Sequence, residues 1–365
     1  MAAFNLIALD KNHKIISLLR PVNVQWNRMY HEAGTFSIQL PLNQYSSNIR
    51  YVYTKDRPEI GRVSQINYSN QAGFQYIQIS GYFEEKDLDR HVVYPPGASN
   101  IITSPAWVEQ SGAAEDVAYT FFECFKGIAT SLSNYSVIQI DAEKSLGRGK
   151  QSCHHRNGEA LGYKLYDILK PSGMSYRVTY NFEADKKTLQ VWEGKNRTQE
   201  NPDGNNPVIF STKYGNIKNP NVYISEDMYK NACIITSEQT KDDVKTYTSR
   251  FVTGDVEDEY RIVYATSTLN PNDFDEEGFQ NALESEAQNK LSECIKTVNV
   301  EFESSAGSYE YLVDFDLGDM CSLDIPEMEF FADARIIGIY EVMKSGEWSM
   351  IIEFGTPIIK RNRRN

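Results

Sequence analysis

Proton transfer near neutral pH is most readily carried by histidine, and the chain has five: His13, His31, His91, His154 and His155. None stands in a motif with a nucleophile or a second ligand. Cys153-His154-His155 is the densest cluster, but neighbouring residues on a strand point to opposite faces and no second ligand pair follows at zinc-finger spacing. HExxH, GxSxG and a serine-hydrolase SxxK are absent. Gly147-Arg148-Gly149-Lys150 lacks the GxxxxGK[ST] order of a phosphate loop and reads as an ordinary loop. Glu84-Glu85 and Asp242-Asp243 are adjacent carboxylates of the kind a glycosidase would set face to face, and they read as solvated surface charge. The run Asp314-Phe315-Asp316-Leu317-Gly318-Asp319 departs from a calcium loop in order and lacks the glutamate at position 12. It reads instead as a turn, in which Gly318 lets the chain reverse and Asp319 hydrogen-bonds the turn backbone. Gly34 is placed at a hairpin in the same way. No catalytic, cofactor or metal residue is expected.

The elements that would carry these residues are mostly strands. From Phe4 to about Pro95, apolar-polar alternations such as VNVQW, FSIQLPL and YIQISGYF recur between turn residues, as in an antiparallel barrel or sandwich. Pro95-Pro96-Gly97 interrupts the pattern. Val117, Phe121, Phe125 and Ile128 then mark an amphipathic helix with Ser111 as its N-cap, and Leu161, Leu165, Ile168 and Leu169 mark a second one ending at Lys170-Pro171-Ser172-Gly173. MSYRVTYNF and TLQVWEG form a hairpin. Asn201 to Pro207 is a loop, followed by further short strands and a helix over about 275–296 behind an acidic first turn. The expected fold class is α+β, mainly β: a first β-barrel domain over 1–95, an intervening α+β domain over 96–200, a second β-barrel domain over 201–355, and a basic tail over 356–365.

At 365 residues, with 41% hydrophobic and 24% charged residues, the chain has ordinary globular composition and length for more than one domain. Its 23 Tyr and 17 Phe suit pleated, half-buried surfaces. No run approaches the roughly 20 apolar residues of a membrane span, and the first residues alternate like a strand, without the pattern of an export signal. Five cysteines without CxxC spacing read as reduced thiols. A net charge of −13 argues against binding to nucleic-acid phosphates. Lys360, Arg361, Arg363 and Arg364 form the one basic cluster, either a solvated tail or a dock for an acidic partner.

The order of several short motifs resembles the baseplate and tail hub family, Gp37-like, of long-tailed bacteriophages and phage-tail-like bacteriocins. They are Trp26, Arg28, Tyr30, Gly34 and Phe36; Ile79-Ser80-Gly81-Tyr82, with tyrosine where the family tends to have arginine, then Leu88 and Arg90; and Trp192 to Thr198 with Val208-Ile209-Phe210-Ser211 and Asn231-Ala232. The C-terminal set is Tyr311, Asp314, Leu317-Gly318-Asp319, Arg335-Ile336 and Phe354-Gly355. The resemblance implies a non-enzymatic homotrimeric hub whose two tube-like barrels per subunit present six modules to a hexameric tail tube. The implied partners are further copies of itself, the tail tube protein, and spike, tape-measure or baseplate proteins. No membrane partner, cofactor or specific nucleic-acid ligand is implied, although DNA could pass through the lumen, where about −39 per trimer would discourage sticking. The implied location is the tail or baseplate of a virion or of a secreted tail-like bacteriocin, assembled in the bacterial cytoplasm. Two alternatives remain at this level: a tail-associated cell-wall hydrolase, and a carbohydrate-binding adsorption module using exposed aromatics such as Trp107 and Trp192.

Overall fold

The computed structural model describes residues 5–71, 73–92, 109–131, 140–155, 159–241, 244–254, 259–305, 309–344 and 346–359. The expected boundary at Pro95 to Asn100, Trp107, the pair Asp242-Asp243 and the basic residues Lys360 to Arg364 lie outside them. The chain divides into two units, one of residues 1–220 with 301–365 and one of residues 221–300.

The first unit begins with β1 (Leu6–Leu9), β2 (Ile15–Leu19), β3 (Asn23–Met29), β4 (Thr35–Pro41), β5 (Tyr51–Thr54), β6 (Ile60–Gln71) and β7 (Phe74–Phe83). Alternation in NVQWNRM and TFSIQLP puts Val24, Trp26 and Arg28 of β3 and Phe36, Ile38 and Leu40 of β4 on the buried side. Trp26 stands opposite Phe36 and packs on Phe83 at 4.8 Å. These residues, with Leu6, Val52, Ile77 and Ile79, form one core.

A mixed segment follows: β8 (Glu109–Ala113), α1 (Ala114–Ser131), β9 (Ile140–Ala142), β10 (Gln151–His155), α2 (Leu161–Leu169), β11 (Ser175–Asn181) and β12 (Lys186–Trp192). Val117, Phe121 and Phe122 of α1 meet Leu161, Leu165 and Ile168 of α2 over Tyr176, Val178, Leu189 and Val191 of the β11–β12 hairpin. Gly173, at φ 70°, turns the chain out of the helical region after α2. Ser111 is not the cap of α1: it pairs with Cys153 in the β8–β10 ladder, which takes up the backbone before the helix begins.

Beyond it come β13 (Asn196–Arg197), β14 (Ile209–Ser211) and β15 (Ile217–Ser225), which runs into the second unit. That unit holds β16 (Ala232–Lys241), β17 (Val244–Thr253), β18 (Ile262–Ser267) and α3 (Glu276–Glu293), and leads through β19 (Thr297–Ser304) back to the first unit and its β20 (Met320–Ile325), β21 (Phe330–Lys344) and β22 (Glu347–Ile359). In the second unit the strands order β17-β16-β18. Asp275 caps α3 by accepting the Gly278 amide at 2.7 Å, and Phe279, Leu283 and Ala287 pack on Cys233, Ile235 and Val252.

The large sheet orders β15-β19-β22-β21-β3-β4-β7-β6-β5-β1-β2, with β20 on β21 and with β13 and β14 beside β20. The molecule is thus an α+β protein dominated by strands. Among the described residues the path is open, ending in β15 and β2. The N-terminal and C-terminal strands belong to one sheet, joined by an antiparallel ladder from Met29 opposite Gly338 to Asn23 opposite Lys344.

Candidate functional site

The ladder between β3 and β21 brings residues nearly 300 positions apart into one buried polar cluster. Arg28 takes the third inward position of β3, after Val24 and Trp26, and is 1% exposed. Its Nε donates to Glu59 Oε1 at 2.5 Å, and Nη1 donates to Asp316 Oδ1 at 2.6 Å and to the Tyr311 hydroxyl at 2.5 Å. Beside it, Arg57 donates from Nε to Glu341 Oε2 at 2.8 Å and from Nη2 to the other oxygen, a two-pronged pair. The Tyr311 ring lies 5.9 Å from the Arg28 guanidinium and 5.2 Å from that of Arg57.

Burial by itself disfavours a charged guanidinium, yet Glu59, Tyr311 and Asp316 hold the pKa of Arg28 well above the usual arginine value. Burial likewise opposes the charge of Arg57, and the hydrogen-bonded Glu341 carboxylate outweighs it. The Tyr311 hydroxyl is held far above its ordinary range, first by burial, so it stays a neutral hydrogen-bonding group. Such a cluster holds strands in one register, because removing one ion strands its partner without water.

Glu84-Glu85, read from the sequence as solvated surface charge, is buried: the residues are 2% and 5% exposed in a short 3-10 helix, Glu84–Arg90, that follows β7. The two environments differ. Glu84 Oε1 lies 3.0 Å from His13 Nε2 and 2.8 Å from Lys187 Nζ, and although burial raises its pKa, these two partners bring it below the ordinary carboxylate value. Burial, with Glu59 and Glu84 nearby, pushes Glu85 up to about 8, so it is mostly protonated at neutral pH. His13 is itself held between the rings of Tyr51 and Tyr180 at 4.3 and 4.4 Å, which ties the β1–β2 turn to the mixed segment.

The turn at Gly318 adjoins this cluster. Asp319 N donates to Asp316 O at 3.2 Å, and Gly318, third of the four residues, has φ 84°, the conformation a type II turn requires there. A Cβ on Gly318 would stand 2.5 Å from Tyr30 Cε2. Its amide donates to Ile336 O at 2.8 Å, and its carbonyl accepts from Arg335 Nη1 at 2.6 Å. The Asp319 carboxylate, 3% exposed, accepts from Lys195 N at 2.6 Å, Arg197 Nε at 2.8 Å and Asp316 N at 3.0 Å. Burial raises its pKa even against those donors. Asp314 Oδ2 accepts from Glu310 N at 2.7 Å. The carboxylates of this acidic run therefore face donors of the chain itself.

Gly34 lies between β3 and β4, and space rather than positive φ selects glycine there: a Cβ would sit 2.4 Å from Asn27 O and 2.5 Å from the Phe83 ring. Arg148 of the glycine-rich loop donates to both carboxylate oxygens of Glu115 at 3.0 and 2.8 Å. His154 and His155 lie on β10, with His154 Nδ1 3.9 Å from Asp167. Trp192 is not an exposed ring: it is half-buried, edge-on to Tyr30 at 4.9 Å and covered by Arg177 at 4.8 Å. Missed at the sequence level were Glu59, Arg57 and Glu341. The available signal was alternation, which puts a charge at the inward position of β3 and so demands an unseen partner.

A family model described as Siphovirus ReqiPepy6 Gp37-like protein matches residues 10–356. Among solved structures, a tail protein from Neisseria meningitidis MC58 superimposes with a TM-score of 0.60 at 10% identity over 97% of both chains. The 43 kDa tail protein of prophage MuSo2 from Shewanella oneidensis gives 0.60 at 12% identity over 96% of this chain and 97% of that one. Prophage tail protein gp18 from Listeria monocytogenes EGD-e gives 0.51 at 13% identity over 98% and 95%. At these identities the structures share the fold. No curated protein matches the sequence.

Proposed function

This chain belongs to the Siphovirus ReqiPepy6 Gp37-like protein family, a family of phage tail proteins, and from that premise we propose that it is the structural hub of a phage or phage-tail-like particle. In this reading it joins the distal end of the tail tube to the spike or fibre apparatus as a homotrimeric ring, and it is not an enzyme. The observation that carries the reading is coextension: the family model spans residues 10–356, and the fold shared with the Neisseria tail protein spans 97% of both chains.

The two ends of the chain, approximately 1–95 and 201–355, would be paired tube-like modules, with 96–200 inserted between them. The buried cluster around Arg28 would hold the modules in fixed register, as a ring under load requires. The Gly318 turn, with Gly34 and Asp319, would shape the modules, and Lys360, Arg361, Arg363 and Arg364 would dock on an acidic neighbour. Tail tube, spike, tape-measure or baseplate proteins are the expected neighbours in a particle assembled in the bacterial cytoplasm, with DNA passing a repelling lumen.

Native mass spectrometry of the full chain and electron microscopy of tail particles from cells encoding it provide the test. Trimers in solution or one ring per particle at the tube end are expected. A chain that is missing from particles, or present there as scattered single copies, would sink the hub reading. Clearing of cell-wall substrate by the purified chain would instead favour a hydrolase.

A further inference from the structure

The second unit carries 16 acidic and 7 basic residues in its 80 positions, a net of −9 of the −13 of the whole chain. Its core explains one face of its sheet and leaves the other. Cys233 and Ile235 of β16, Val252 of β17 and Val263 and Ala265 of β18 face α3. The opposite face follows from the registers: Ile234 stands opposite Phe251 on one side and Tyr264 on the other, Ala232 opposite Ile262, and Glu238 opposite Tyr247.

On that face Tyr247 is 61% exposed, Phe251 49%, Ile262 45% and Tyr264 63%, and Tyr260, also exposed, stands edge-on to Phe251 at 5.6 Å. An aromatic side chain has about 150–250 Å² of surface, so these four rings half-exposed, with Ile262 beside them, present on the order of 500 Å². That is more than half of the ~800 Å² each partner contributes to a stable protein interface. An aromatic patch of this size on a sheet face marks a binding surface.

Charge indicates what covers it. Among the described residues, the basic side chains beside the patch are paired: Lys245 with Glu238, and Arg261 with Glu226 at 2.9 Å. Glu259, 77% exposed at its side chain, adds to the acidic rim. A second copy of this face would bring an equal excess of negative charge against it. We propose that the outer face of the β17-β16-β18 sheet is a docking surface for a different protein, one with an apolar centre and a lysine- or arginine-rich rim. The proposal rests on the chain being a component of a tail particle. Hydrophobic contact supplies the area, and the acidic rim selects the partner by sign.

The test is hydroxyl-radical footprinting of the free full-length protein and of purified tail particles that contain it. The expected result is at least fivefold protection of Tyr247, Phe251 and Tyr264 in particles, with zero-length carboxylate-to-lysine cross-links from Glu238 or Glu259 to another protein. The Glu238–Lys245 pair cross-links within one molecule and is set aside; cross-links from those glutamates that join two copies of this chain, shown by mixing isotope-labelled and unlabelled protein, would make the occupant a second copy and overturn the proposal. Protection in the free chain by chitohexaose would assign the face to glycan and overturn it as well. Unprotected rings in particles that do contain the chain would defeat the docking surface and leave the tail function standing, whereas absence of the chain from particles would remove both. In addition, Glu238→Lys with Glu259→Lys is expected to lower incorporation into particles about tenfold while circular dichroism stays unchanged; unchanged incorporation would rule out selection by charge.

Discussion

The β3–β21 junction and the three-stranded sheet of the second unit treat charge in opposite ways. At the junction, Arg28, Arg57, Glu59 and Glu341 lie inside the protein and neutralise one another through short hydrogen bonds. In the second unit the cluster between α3 and the sheet is aliphatic, aromatic and thiol, and ion pairs such as Arg250 to Glu284 lie at its surface. A buried ionic cluster is a poor source of net stability but a strong determinant of register, whereas an apolar core stabilises without specifying which strand lies beside which. The junction therefore suits a part that must keep one geometry, and the second unit suits a part whose outer sheet face meets something else.

The largest test of that contrast is Arg28→Met. It leaves Glu59 buried without its cation and takes the same partner from the half-buried Asp316, and should cost about 3–5 kcal/mol in denaturant unfolding. Adding Glu59→Gln should recover part of that loss, and a single variant within about 1 kcal/mol of the parent would erase the distinction between the regions. In the second unit, Leu283→Ala should cost about 3 kcal/mol through the cavity it opens under the sheet, with hydrogen exchange accelerated in β16 and α3. Exchange that instead rises uniformly through residues 6–83 would show that this core is not separate.

Next in size, Gly318→Val should cost about 2–3 kcal/mol, from a positive φ that valine resists and from the clash with Tyr30. Thermal melts of Gly318→Val beside Gly318→Asn, which tolerates the same φ better, would separate the two causes.

Glu85→Gln tests the buried carboxyl through pH. The folded carboxyl titrates near 8 and an unfolded glutamate near its ordinary value of 4.5, so between these the native state keeps a proton that the unfolded chain releases. Stability contributed by the neutral form is complete below about 4.5 and declines as pH rises to about 8. The variant cannot ionise, so most of that decline should vanish. Parallel stability–pH curves for parent and variant would contradict the assignment. Smallest of all, Glu284→Gln removes the half-exposed Arg250 partner and should change stability by under about 0.5 kcal/mol in urea titrations.

Local features were largely legible. Period-two alternation identified β3, β4 and β7, helical spacing identified α2 and α3, and the acidic turn before α3 contains its cap, Asp275. Family membership was legible from motif order. Errors arose where a local cue competed with a distant partner. Ser111 has the chemistry of a helix cap but was drawn into a ladder with β10. Glu84-Glu85 resembles surface charge, yet His13 and Lys187 enclose the first and burial neutralises the second. Trp192 was a candidate exposed ring until Arg177 and Tyr30 covered it.

By itself, the sequence determined which side chains of β3 and β4 point inward, where α3 begins, and how acidic the molecule is, because these depend on neighbours within a few residues and on composition. Tertiary structure alone decided that β3 lies against β21, and so that Arg28 meets Glu59, Tyr311 and Asp316. Alternation states that an inward arginine needs an acceptor, but carries no information about which inward residue of which remote strand will supply it. That choice comes from packing and strand register across the whole sheet.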